Sequence, residues 1–129
     1  MKSIKLSLVI LLSVISLFTF AQQTTSISQQ ELLALMATPS KQTVILDVRS
    51  AEEFSEGHIQ GAINISHEQI NANLNKIIAF KDKTVVVHCR SGRRAISAEH
   101  DLRAAGFSDL RHLEGDMKGW QAANLPLVK

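Results

Sequence analysis

Cys89 is the only cysteine among 129 residues, and Arg90, Ser91, Gly92, Arg93 and Arg94 follow it directly. One cysteine cannot close an intramolecular disulfide, so the thiol is a buried hydrophobe, an intermolecular linker or a reactive group. The thiolate is the nucleophilic form, and helix N-termini and nearby cations favour it over the thiol. Val85, Val86 and Val87 lead into His88 and Cys89, and a helical pattern starts at about Arg94. Cys89 therefore sits where a strand turns into a helix, and backbone N–H groups converge there into an anion-binding cradle, with the thiol at its mouth. The chemistry this spacing points to is attack by a thiolate on an anionic substrate held by Arg90, Ser91, Gly92, Arg93 and Arg94.

The individual roles differ. Arg94, in the first helical turn, either binds the anion or braces the loop, and Ser91 either hydrogen-bonds the transferred group or caps the turn. Gly92 supplies a positive φ or a close backbone approach. Asp47 and Arg49, at the end of a neighbouring apolar strand, are supporting residues near the site, with Arg49 read as an i,i+4 ion-pair partner of Glu53. His58 is read as a loop brace, Trp120 as a core anchor, and His67, His100 and His112 as solvated surface. A metal centre is not expected: on a strand His88 points away from Cys89, and no C-x-x-C or H-x-x-x-H partner exists. No cofactor is expected either.

The elements that must position these groups alternate. Ser28 to Glu31 has the S-x-x-E form of a capping box ahead of Leu32, Leu33, Leu35 and Met36, with Pro39 ending that helix. Val44 to Leu46 reads as a strand, and Ser50 to Glu53 as a second capping box with Phe54 inward. Ala62 to Ile65 reads as a short strand. Ser66 to Gln69 reads as a third cap, leading an amphipathic helix through Ile70, Leu74, Ile77 and Ile78. Thr84 to Val87 is β-branched throughout and apolar on both faces, as a central parallel strand should be. Arg94 to Ala105 reads as a helix closed by Gly106 and Phe107, Leu110 to Leu113 as a last strand, and Met117 to Ala123 as a last helix. Strands alternating with helices predict a single α/β domain with a helix-flanked parallel sheet.

Residues 1–21 stand apart. Lys2 and Lys5 precede an apolar run from Leu6 to Phe20, and Thr19-Phe20-Ala21 offers small residues at the spacing of a signal-peptidase site. They are read as a cleaved signal peptide, with a retained anchor as the alternative, and 22–129 as the domain. The expected location is exported, periplasmic or secreted, with no membrane contact after cleavage. Removing 21 of the 129 residues leaves 108, enough for one domain. The basic count falls from 14 to 12 and matches the 12 acids. A nucleic-acid partner then loses its compositional support, and the positive charge that remains concentrated is the loop from Arg90 to Arg94.

These residues carry a resemblance. Cys89-Arg90-Ser91-Gly92-Arg93-Arg94 resembles the active-site loop of single-domain rhodanese-like sulfurtransferases. Leu46-Asp47-Val48-Arg49 with Glu53-Phe54, and Gly57 through Ile65, resemble that family's D-V-R…E-F…G-H-I-x-G-A-x-N-I segment. Leu113 through Trp120 resembles its L-x-G-G-x-x-x-W signature, with Asp116 where a second glycine is common. The resemblance implies a doubly wound, mostly parallel five-stranded sheet flanked by helices. It also implies a thiosulfate sulfurtransferase activity, in which Cys89 takes a sulfane sulfur from a small anionic donor and passes it, as a persulfide, to cyanide or a thiol acceptor. The alternative is a persulfide carrier that delivers sulfur to a partner protein with little free turnover. A cysteine phosphatase or arsenate reductase is disfavoured, because those loops need Cys, five residues, then Arg. Here Arg94 is already the fifth residue after Cys89, and the sixth is Ala95.

Overall fold

The computed structural model describes residues 23–38 and 42–129. The segment read as a signal peptide, and Pro39, lie outside them. The elements run β1 (Thr25–Ile27), α1 (Gln29–Ala37), β2 (Thr43–Asp47), α2 (Ala51–Glu56), β3 (Ile63–Asn64), α3 (Leu74–Ile77), β4 (Thr84–His88), α4 (Arg93–Ala104), β5 (Asp109–Leu113) and α5 (Asp116–Ala122). The strands form one sheet in the order β1-β5-β4-β2-β3. All four pairings are parallel, so the sheet is parallel throughout rather than mostly so. An isolated antiparallel bridge joins His58 to Val128 outside it.

Side chains alternate along the central strand, and this splits the core into two layers. Val85, Val87 and Cys89 pack with Ala95, Ala98 and Leu102 of α4 and with Ile70 and Ile77. Val86 packs on the other face with Leu32 of α1 and with Met117 and Trp120 of α5. Helices on both faces make the domain doubly wound. The chain builds outward from β2 to β3, then returns to place β4 on the other side of β2. The crevice at the carboxyl ends of β2 and β4 is therefore the topological switch point, where sites form in such sheets. Register puts Asp47 beside His88 at that point.

Local chemistry explains most boundaries. The Ser28 hydroxyl accepts from the Glu31 N–H at 3.1 Å and starts α1. Ser50 and Glu53 close a complete, reciprocal capping box on α2. Trp120 is fully buried, and its indole N–H donates to the Pro126 carbonyl at 2.9 Å, tying the C-terminal tail to α5.

The stretch after β3 departs from expectation. Ser66 makes no side-chain cap, and in place of one amphipathic helix there are 3₁₀ turns at His67–Gln69, Asn71–Asn73 and Ile78–Phe80 around a single α turn. The His67 N–H is taken by the Val48 carbonyl, and the Asn73 side chain donates to the Gln69 carbonyl. Asparagines at 71, 73 and 75 offer the backbone such local alternatives to a regular helix. Ile70 and Ile77 are still buried, whereas Ile78 is exposed. Strand β1, not foreseen, has one buried residue, Ile27, and adds to the edge of β5.

Candidate active site

Cys89 follows β4 directly and is 1% exposed. The thiol expected at the mouth of the loop lies instead at its base, among apolar side chains. The loop above it turns at Gly92, where φ is 115°, a value L-residues rarely adopt. A Cβ there would stand 3.2 Å from the Asp116 carboxylate, so both backbone and space call for glycine. The turn brings the Gly92 N–H to 3.0 Å from Cys89 Sγ, donating to the sulfur. Helix α4 begins at Arg93 immediately after.

The loop is docked onto α5. The Met117 N–H donates to the Cys89 carbonyl and the Lys118 N–H to the Arg90 carbonyl, each at 3.0 Å. Two first-turn N–H groups of α5 are therefore satisfied by the loop. The Cys89 N–H donates to Asp116 Oδ1 at 3.0 Å. Asp116 has φ of 53°, which explains why glycine suits this turn. Aspartate tolerates the left-handed region, and its bond to Cys89 offsets the cost.

Of the loop cations, Arg90 and Arg93 are exposed together with Ser91. Arg94 is engaged: its guanidinium grips Glu53 in a two-pronged pair at 2.7 and 3.0 Å. That pair holds the Glu53 carboxyl down at about 2, with the Ser50 cap adding to it against the opposing effect of burial. Glu53, and to a smaller extent Cys89, raise the Arg94 pKa, so Arg94 stands in the field of the thiol while α2 fixes its position. Of the two readings of Arg94, the contact present is the bracing one, to Glu53.

Arg49 does not pair with Glu53. It is turned back on Asp47, with contacts of 2.7–3.1 Å, and donates to the Gly57 carbonyl at 2.8 Å. Glu53 is occupied by Arg94, and Asp47 lies two residues away at a strand end, so the shorter-range partner wins. Arg49, Glu53, Glu56, Arg90, Met117 and Gln121 line a cleft of about 260 Å³ beside the loop. His58 braces as expected, with Nδ1 at 2.9 Å from the Phe54 carbonyl and its ring stacked on Phe54. His88 is fully buried beneath the site, with Nδ1 at 3.0 Å from the Cys89 carbonyl. Burial pushes its pKa down, against the pull of Asp47.

The residue missed from sequence is His112. It is not solvated surface: its ring sits between the buried carboxylates of Glu99, at 3.0 Å, and Asp116, at 2.9 Å. Both raise its pKa to about 10, Asp116 most. The i,i+4 relation of His112 to Asp116 was the one signal available, although His112 lies on β5 and a turn separates it from Asp116 at the start of α5. Among the described residues, no group of three or more His, Cys, Asp or Glu is arranged to hold a metal ion.

The comparisons agree with this architecture. The family model of the Rhodanese-like domain matches residues 28–123. The uncharacterized protein YibN of Escherichia coli K12 is 37% identical over 87 residues, covering 67% of this chain and 61% of that protein. The chain thus spans under two thirds of that relative's length. Thiosulfate sulfurtransferase GlpE of Shewanella oneidensis is 33% identical over 87 residues, covering 67% of this chain and 84% of that protein. The crystal structure of a rhodanese-related protein from Thermoplasma volcanium superposes with a TM-score of 0.69 at 28% identity, covering 81% of this chain and 97% of that one. With its parallel sheet, its cysteine loop at the switch point and a family match over most of its length, the chain belongs to the rhodanese-like family.

Proposed function

We propose that this protein is a sulfurtransferase that moves a sulfane sulfur from a donor such as thiosulfate to cyanide or a thiol through a persulfide on Cys89. The observation that carries this reading is the Gly92 N–H on Cys89 Sγ at 3.0 Å, in a loop whose next residue, Arg93, opens α4. A thiolate, and then a persulfide anion, needs such donors where the charge sits.

In the first half-reaction the Cys89 thiolate attacks the outer sulfur of thiosulfate. The new S–S bond forms as the old one breaks, and sulfite leaves with the bonding electron pair. In the second, cyanide or a thiolate takes the outer sulfur and Cys89 departs as thiolate. Two half-reactions on one nucleophile predict ping-pong kinetics. Arg90 and Arg93 form the cationic rim that draws in the anionic donor, and the cleft beside Arg90 and Arg49 is its approach. Ser91, exposed on the same loop, hydrogen-bonds the arriving group. Asp47, at the end of β2, and Arg49, just beyond it, support the site. The relative named thiosulfate sulfurtransferase supports the choice of donor.

Steady-state turnover of thiosulfate and cyanide by the wild type and by Cys89→Ser tests the reading. The wild type turns over with parallel-line kinetics, and Cys89→Ser loses transfer entirely. Retained activity in Cys89→Ser refutes the mechanism. One sulfur bound per chain with negligible turnover moves the protein from enzyme to sulfur carrier, and phosphate-ester hydrolysis without thiosulfate turnover replaces the reading altogether.

A further inference from the structure

Behind the cysteine loop lies a chain of three buried or half-buried groups that the transfer reaction does not use. Glu99 comes from α4, His112 from β5 and Asp116 from the start of α5. Both carboxylates are within 3.0 Å of a ring nitrogen of His112. Asp116 in turn accepts the Cys89 N–H through its other oxygen. The oxygen facing His112 is also the one that a Cβ on Gly92 would meet. The carboxylate therefore adjoins both ends of the short turn that places a donor on Sγ.

We propose that His112 is a positioning residue for Cys89: held between Glu99 and Asp116, it fixes the Asp116 carboxylate against the Cys89 N–H and neutralises its charge beside the sulfur.

The proposal rests on Cys89 being the working nucleophile. Its physical content is a charge balance. Two carboxylates behind a loop that must hold an anionic sulfur would oppose that anion by like-charge repulsion. An imidazolium donating to both satisfies them and leaves one net negative charge where there would be two. The arrangement also removes the Cys89 N–H from the cradle, so anion binding falls to the donors after Cys89, of which the Gly92 N–H is already on the sulfur.

Among the described residues, the charged surroundings are few. Facing His112 are Glu99 and Asp116, with Arg103 of α4 sharing the surface cavity onto which His112 and Glu99 open. Arg111, its chain neighbour, is turned to Asp109. Around Cys89, Arg94 acts electrostatically, and His88 and Asp116 bond its backbone carbonyl and N–H. Arg90 and Arg93 lie on the exposed rim, and substitutions at His112 and Asp116 leave them in place.

The test is the rate of Cys89 alkylation by iodoacetamide against pH, measured on the full chain with the fold checked by circular dichroism. It reads the thiolate directly and needs no sulfur transfer. His112→Gln keeps a donor but loses the charge, and its alkylation midpoint is expected to rise by about half a pH unit or more. Asp116→Asn keeps the acceptor for the Cys89 N–H and removes a charge, so its midpoint is expected to fall. The double variant His112→Gln/Asp116→Asn is expected to return close to wild type. A midpoint in His112→Gln that matches wild type, or a rise that Asp116→Asn fails to reverse, overturns the proposal. Should His112→Gln not fold, the His112 imidazole is titrated in the wild type by NMR: a ring still protonated at the alkylation midpoint supports the proposal, and one that has lost its proton below that midpoint overturns it. A protein that fails to turn over thiosulfate yet shows these shifts loses the sulfurtransferase reading and keeps the positioning role. One that turns over thiosulfate while its alkylation ignores His112 does the reverse.

Discussion

At the scale of single residues, the site is defined by which charges find partners. Arg94 and Glu53 satisfy each other, Arg49 turns to Asp47, and His112 is shared by Glu99 and Asp116. These pairings carry opposite pH signatures. His112 holds its proton in the fold up to about 10, against the ordinary 6.5. Its stabilisation is complete below pH 6.5 and is lost as pH rises toward 10, because the unfolded chain gives up that proton first. Glu53, held at about 2 rather than 4.5, behaves the other way: its contribution is present above pH 4.5 and disappears as pH falls toward 2. Urea-unfolding midpoints are therefore expected to decline on both flanks. His112→Gln should flatten the alkaline decline and Glu53→Gln the acid one. A wild-type alkaline flank no steeper than that of His112→Gln would contradict the His112 assignment.

At the scale of elements, the short helix α2 matters more than its length implies, because it presents Glu53 to Arg94. Its start depends on the Ser50 capping box, with the hydroxyl 3.2 Å from the Glu53 N–H and Glu53 reaching back to Ser50. Ser50→Ala is expected to destabilise the protein by about 1 kcal/mol and to lower transfer by loosening the Arg94 brace. Chemical denaturation and turnover measured together check it, and an unchanged stability would contradict it. This cap was legible in the sequence because it is a local, four-residue pattern, and so was the β-branched run that became β4. The 66–80 stretch was not, since its apolar spacing is helical while its asparagines and the Val48 carbonyl break the backbone into 3₁₀ turns. Strand β1 exists only through pairing with β5, which sets Thr25 against Arg111 from the far end of the chain. Cys89 and its loop were readable as one contiguous segment. The role of His112 was not, because its carboxylate partners reach it from two other elements.

At the scale of the whole molecule, a parallel sheet with the central strand ending at the switch point puts one buried thiol under one cationic loop, with a separate core on each face to hold it. The net charge of the chain contributes little to this; the local charge from Arg90 to Arg94 and its anchoring by Glu53 and Asp116 do. The reading of 1–21 as a cleaved export signal belongs to this scale. Protein recovered after secretion is expected to begin at Gln22, and an intact mass that retains the first 21 residues would contradict that. The same measurement addresses the central claim most directly. Intact mass of the wild type after incubation with thiosulfate is expected to show a gain of one sulfur atom, lost on adding cyanide and absent in Cys89→Ser. A mass that does not change, or a gain that persists in Cys89→Ser, would contradict sulfur transfer through Cys89.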